Sequence, residues 1–135
     1  MIPYRGYRQG DVPASGACRM KITRLYTGTD DRSHFEEIDV AFESREDFGM
    51  FTLPEPAKAV FFREIPPGYV YTWHNAVCRE YVIVTEGTVE IEIGTGEKRV
   101  FRPGDVLLVE DLTGQGHRTR VIGSKVWRQV FVTLP

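Results

Sequence analysis

The sequence predicts an all-β domain, a sandwich or a barrel. Three observations carry this: about ten short segments rich in β-branched and aromatic residues, glycine and proline turns between them, and no long helical apolar repeat. The 135 residues read as one domain, 1–135, because no internal repeat, low-complexity tract or linker divides them. That length buries roughly two thirds of the surface the unfolded chain exposes, so no disulfide or metal staple is needed for folding.

Residues 1–18 contain Pro3, Gly6, Gly10 and Pro13 and no periodic apolar pattern, which predicts an extended N-terminal arm. From Met20 alternation begins and predicts a short strand ending at Thr27-Gly28-Thr29-Asp30-Asp31. A second extended segment places His34, Glu36, Ile38, Val40 and Phe42 on one face. Residues 43–57 hold the charged cluster from Glu43 to Asp47 and then Leu53-Pro54-Glu55-Pro56, which predicts a surface loop with room for one helical turn near Arg45. Ala59 to Ile65 reads as a strand stopped by Pro66-Pro67-Gly68. Further strands are predicted over 69–73, 80–85, 88–93, 99–101, 106–109, 117–122 and 125–133.

Side chains alternate along a strand, so one orientation fixes several residues. Glu80 shares a face with Val82 and Val84; His117 shares one with Thr119 and Val121, leaving Arg118 and Arg120 on the other. Alternation also sets His74 with Val70 and Thr72, opposite Tyr69, Tyr71 and Trp73. Glu90 and Glu92 belong outside, opposite Val89, Ile91 and Ile93. On the last strand Arg128 places its own face at the rim or outside, opposite Trp127, Gln129 and Phe131.

A formal net charge of −2 provides no electrostatic case for binding nucleic acid, and none is expected as a partner. The longest apolar runs are far too short to cross a bilayer, and the polar start lacks a signal-peptide core. A cytoplasmic protein without a membrane partner is expected. Cys18 and Cys78 make neither a metal pair nor a redox pair by spacing; free thiols are expected, with a bridge between them left open.

Gly68, His74, Ala76, Glu80 and Gly87 carry a spacing that resembles the first motif of the cupin superfamily, interval for interval. Phe101-Arg102-Pro103-Gly104-Asp105, leading to Gly114-Gln115-Gly116-His117, resembles the second. The resemblance implies a small jelly-roll β-barrel and, within it, a divalent metal ion (iron, manganese, nickel or zinc) held by His74, Glu80 and His117. Ala76 stands where the family's second histidine would be, and Val121 where a later motif often has asparagine, so the implied ligands are three in place of four.

Two imidazoles and one carboxylate form the set that suits non-haem Fe(II) oxygen chemistry and equally holds Zn²⁺ or Mn²⁺ with open positions. A metal-dependent enzyme acting on a small molecule in the barrel, with an oxygenase as its specific form, is the first expectation. The second is a metal-free isomerase, cyclase or lyase in which Glu80 or a histidine serves as acid or base. The third is a binding or sensor module without turnover. Against these stands the plainer account in which His74, Glu80 and His117 only hydrogen-bond one another, although burying an unpaired carboxylate is costly.

His34 lies outside both motifs and is expected on the surface or in packing. Tyr69, Tyr71 and Trp73 line an entrance or a subunit contact, the contact being favoured, and a homodimer is expected. Arg118 and Arg120 either bind a substrate carboxylate at the rim or stay solvated. Glycines 94, 96, 114 and 116 make turns; none opens a helix that would cradle phosphate.

Overall fold

A computed structural model describes residues 20–44 and 49–135. The expectations for the arm 1–18, for Cys18 and for a helical turn at Arg45 lie outside the described residues. The fold is all-β and mostly antiparallel, with twelve strands among the described residues.

In chain order these are β1 (Lys21–Thr27), β2 (Ser33–Asp39), β3 (Glu43–Ser44), β4 (Met50–Phe51), β5 (Ala59–Ile65), β6 (Val70–His74), β7 (Glu80–Glu86), β8 (Thr88–Ile93), β9 (Lys98–Phe101), β10 (Val106–Glu110), β11 (His117–Ile122) and β12 (Trp127–Thr133). The predicted strands all form, their ends moving by a few residues at most. The loop over 43–57 contributes β3 and β4, a two-residue pair that the charged sequence did not announce. No helix among the described residues is long and apolar enough to cross a membrane.

Six strands make one sheet in the order β2-β1-β10-β7-β12-β5, and four make a second in the order β6-β11-β8-β9. Neither sheet closes on itself among the described residues. β1 and β10 pair in parallel, whereas the other neighbours are antiparallel.

One apolar cluster joins the two sheets. The larger contributes Leu25, Val82, Val84, Leu107, Val109, Trp127 and Phe131; the smaller contributes Val89, Ile91, Ile93, Phe101 and Val121. Each fully buried aliphatic side chain contributes about 1.5–3 kcal/mol, so this shared interior is the main force holding the sheets together. The alternation read from the sequence sets most of it: Val89, Ile91 and Ile93 point in, and Trp127, Gln129 and Phe131 are buried while Arg128 is exposed.

The outer faces carry cross-strand ion pairs. Arg118 reaches Glu92 at 3.7 Å and Arg120 reaches Glu90 at 3.2 Å, which leaves both arginines on the solvent side with carboxylates of their own. His34 holds Asp30 at 2.9 Å and packs near Tyr26, a surface role as expected. The edge strand β5 also exposes apolar side chains: its outward Val60 and Phe62 are 59% and 77% exposed.

Candidate functional site

A cavity of about 540 Å³ opens between the sheets and is lined by Arg63, Tyr69, Tyr71, His74, Ala76, Glu80, His117, Thr119, Trp127 and Phe131 among others. All three site residues singled out in the sequence therefore reach one space. They do so from two sides. His74 ends β6 and His117 begins β11, and these residues are register partners within the smaller sheet. Glu80 begins β7 in the larger sheet, opposite Val109 of β10.

The two imidazoles meet because a glycine lets their strands close. Gly116 has φ 77°, and a Cβ built on it would lie 2.0 Å from the carbonyl oxygen of His74. Only a residue without a side chain permits that approach, which sets the ring centroids of His74 and His117 4.3 Å apart. Replacing Gly116 with alanine adds left-handed strain to a backbone clash. A loss of at least ~2 kcal/mol in urea unfolding is expected, with the two rings separated; an unchanged midpoint would contradict the contact.

Both rings are fixed through Nδ1. His74 donates from Nδ1 to the carbonyl oxygen of Thr72 at 2.6 Å, which assigns its lone pair to Nε2. Burial pushes this imidazole below the usual histidine range, so the ring stays neutral further into acid. His117 pairs through Nδ1 with Oδ2 of Asp111 at 2.6 Å, and the same oxygen accepts from Ser33 Oγ at 2.7 Å. Asp111 and Ser33 are wholly buried. Among the described residues Oδ1 of Asp111 has no hydrogen-bond partner, an unusual condition for a buried carboxyl. Neither ring nitrogen Nε2 has a partner among the described residues, and both rings line the cavity.

Burial pushes the Glu80 carboxyl above the usual glutamate range, and the charge of Arg63 draws it partly back. Its nearest donor is Cys78, whose Sγ lies 3.9 Å from Oε2. A carboxyl with a raised folded pKa contributes stability that is fully present below the unfolded glutamate pKa and lost as pH rises through the folded value. Glu80→Gln is therefore expected to raise Tm more at pH 7 than at pH 4. A larger gain at pH 4, by calorimetry, would reverse the assigned direction.

Among the described residues no group of three or more His, Cys, Asp or Glu side chains converges closely enough to hold an ion. The two histidines share one sheet, and Glu80 begins a strand of the other. Ala76 lines the same cavity, so a methyl occupies the position from which a further histidine would project. The two imidazoles do have the second-contact pattern of metal ligands, each Nδ1 being anchored.

One orientation read from the sequence is corrected. Tyr71 was expected opposite His74, yet it lines the cavity with its ring 3.9 Å from the imidazole. His117 pairs with His74 and Thr119 with Tyr71, so three steps on β6 match two on β11. That irregularity absorbs one residue and brings both side chains inward. Tyr69 lines the cavity as well, which favours the entrance reading for the two tyrosines.

Two further residues were missed. Asp111 continues the inward series Leu107, Val109, and Arg63 pairs in register with the buried Gln129; both could have been found by extending alternation one step.

No family model matches the chain. Part of it is similar to the cupin-domain-containing oxidoreductase srdB of Neurospora crassa, 46% identical over 43 residues, which are 32% of this chain and 22% of that protein. The Oryzines biosynthesis cluster protein J of Aspergillus oryzae is 38% identical over 56 residues, 42% of this chain and 31% of the relative. A third, the cupin-domain-containing oxidoreductase virC of Hypocrea virens, is 31% identical over 71 residues, 53% of this chain and 37% of the relative. The chain thus spans between about a fifth and just over a third of these relatives.

Among solved structures, an RmlC-like cupin family protein of Methanocaldococcus jannaschii superposes with a TM-score of 0.48 at 14% identity, covering 73% of this chain and 92% of that one. KdgF from Halomonas sp. gives 0.44 at 19% identity, covering 82% and 95%. Stretches of the chain are thus similar in sequence to cupin-domain-containing proteins, and its fold is all-β with two packed sheets.

Proposed function

We propose that this chain is a cupin-type enzyme that binds a small organic molecule between its sheets and moves protons on it, as an isomerase, cyclase or lyase does. The observation that supports it most is the buried pair of Asp111 and His117, which leaves Nε2 of His117 facing a cavity that also holds His74 and Glu80. Nε2 of His117 takes a proton from the bound molecule. The imidazolium that forms keeps its Nδ1–H on Asp111, in a low-dielectric setting where that bond is strong.

Glu80 faces the molecule from the other sheet. Its carboxyl, favoured in the protonated form by burial, donates the proton that completes the reaction. His74, neutral with its lone pair on Nε2, accepts a hydrogen bond from the substrate and fixes its orientation. Copies of the chain paired as a homodimer remain part of this reading, with the exposed Val60 and Phe62 of β5 as surface to cover.

A second reading is favoured by the two anchored imidazoles and by the oxidoreductase names of the relatives. His74 and His117, with Glu80 as the carboxylate, would hold a divalent ion that would supply Lewis-acid or redox chemistry. Elemental analysis separates the two: one ion per chain in protein purified without chelator supports the second.

For the first reading, small carbonyl and carboxylic compounds are incubated with the protein in D₂O and followed by proton NMR. Catalysed exchange or isomerisation of a compound is expected. Compounds that bind and return without deuterium or rearrangement would support a binding module and overturn the enzyme.

A further inference from the structure

We propose that the cavity selects a largely apolar molecule bearing one carboxylate, and that the guanidinium of Arg63 is the group that binds it. This rests on the reading that the substrate occupies the cavity but not on any catalysis there.

Arg63 lies on the inward side of β5, in register with Gln129. Its Nε donates to Oε1 of Gln129 at 2.8 Å. The guanidinium carbon stands 5.3 Å from the centroid of the Trp127 ring and 4.6 Å from that of Phe131. One nitrogen is thereby committed and the group is held against aromatic rings, while the terminal nitrogens Nη1 and Nη2 have no hydrogen-bond acceptor among the described residues. A guanidinium fixed in this way is already arranged for a two-oxygen acceptor, with little rotamer freedom left to lose.

The outward arginines of β11 and β12 are paired. Arg118, Arg120 and Arg128 each have a carboxylate within 4.0 Å, but among the described residues Arg63 has none. Partial burial lowers its affinity for the proton, and the charge of Glu80 offsets this only in part. Neither carboxylate on the cavity wall hydrogen-bonds to it among the described residues. Glu64 is bonded to Arg128 at 2.6 Å, and Glu80 is on β7 with burial favouring its neutral form. An entering carboxylate would supply the missing partner.

The rest of the wall defines the body of the ligand. Ile65, Tyr71, Val82, Ile91 and Leu107 are apolar or aromatic, and about 540 Å³ is ample for a drug-sized molecule or smaller. A carboxylate at Arg63 leaves that body extending toward His74 and His117.

The test uses the full chain with benzoate, 3-phenylpropanoate and hexanoate as probes, each against its neutral amide, by titration calorimetry. At least one carboxylate is expected to bind ~10-fold or more tightly than its amide, and Arg63→Gln to abolish that preference while leaving amide binding alone. Arg63→Lys, which keeps the charge without the fork, is expected to retain part of it. Equal binding of acid and amide, an acid preference that survives Arg63→Gln in a folded variant, or no binding by any probe at ~10 mM would each overturn the proposal. Failure of the catalytic reading looks different: acids bind through Arg63, His117→Asn leaves that binding intact, and no compound is converted.

Discussion

Asp111→Ala is expected to destabilise the protein by about 3 kcal/mol or more in urea unfolding, among the largest effects of any single change at the site. The substitution removes one oxygen that serves two buried donors, Nδ1 of His117 at 2.6 Å and Oγ of Ser33 at 2.7 Å. Both would be left unsatisfied in a region closed to solvent, since Ser33 is wholly buried and His117 is only 6% exposed. The effect also crosses elements, because Ser33 begins β2 and His117 begins β11, in different sheets. Asp111→Asn keeps the shape and is expected to cost less, but it can offer Nδ1 an N–H in place of an acceptor and so drive the ring to the other tautomer. Nitrogen-15 NMR of His117 reads that change directly. A loss below ~1 kcal/mol for Asp111→Ala would mean that the pair carries little of the structure.

His117→Asn should lower turnover by about 10²–10⁴-fold with Tm changed far less than by Asp111→Ala. Asparagine can keep a hydrogen bond to Asp111 but has no ring nitrogen with a lone pair to accept the proton. The drop is expected in kcat more than in KM, because Nε2 acts as the proton moves and contributes little to holding the molecule beforehand. A variant that loses only affinity would assign His117 to binding and leave the base elsewhere. His74→Asn is a useful contrast, with a smaller fall shared between kcat and KM.

The strands were legible because two-residue alternation and glycine or proline turns are local signals. Val89, Ile91 and Ile93 against Glu90 and Glu92 fixed a hairpin's faces before any partner was known. Which sheet each strand joins is decided by long-range pairing, and no local pattern states that His74 and His117 share a sheet while Glu80 lies across from them. The spacing that resembles a metal-binding motif nonetheless marked three residues that line one cavity.

Tyr71 shows a different limit. A single extra residue on β6 reverses the face of everything beyond it, and nothing between Val70 and His74 marks that step in sequence. Arg63 and Asp111 were within reach of the pattern. Each sits on the inward series of its strand, but an inward charge contradicts the usual rule for strand interiors and is easily assigned to solvent.

The central claim is that His117, oriented by Asp111, transfers a proton without a metal ion. Its most direct test is proton exchange in D₂O by protein stripped with chelator to well below one ion per chain. Exchange at an undiminished rate that then falls about 10²-fold in His117→Asn is the predicted result. Exchange that disappears on chelation and returns when a divalent ion is added would contradict it.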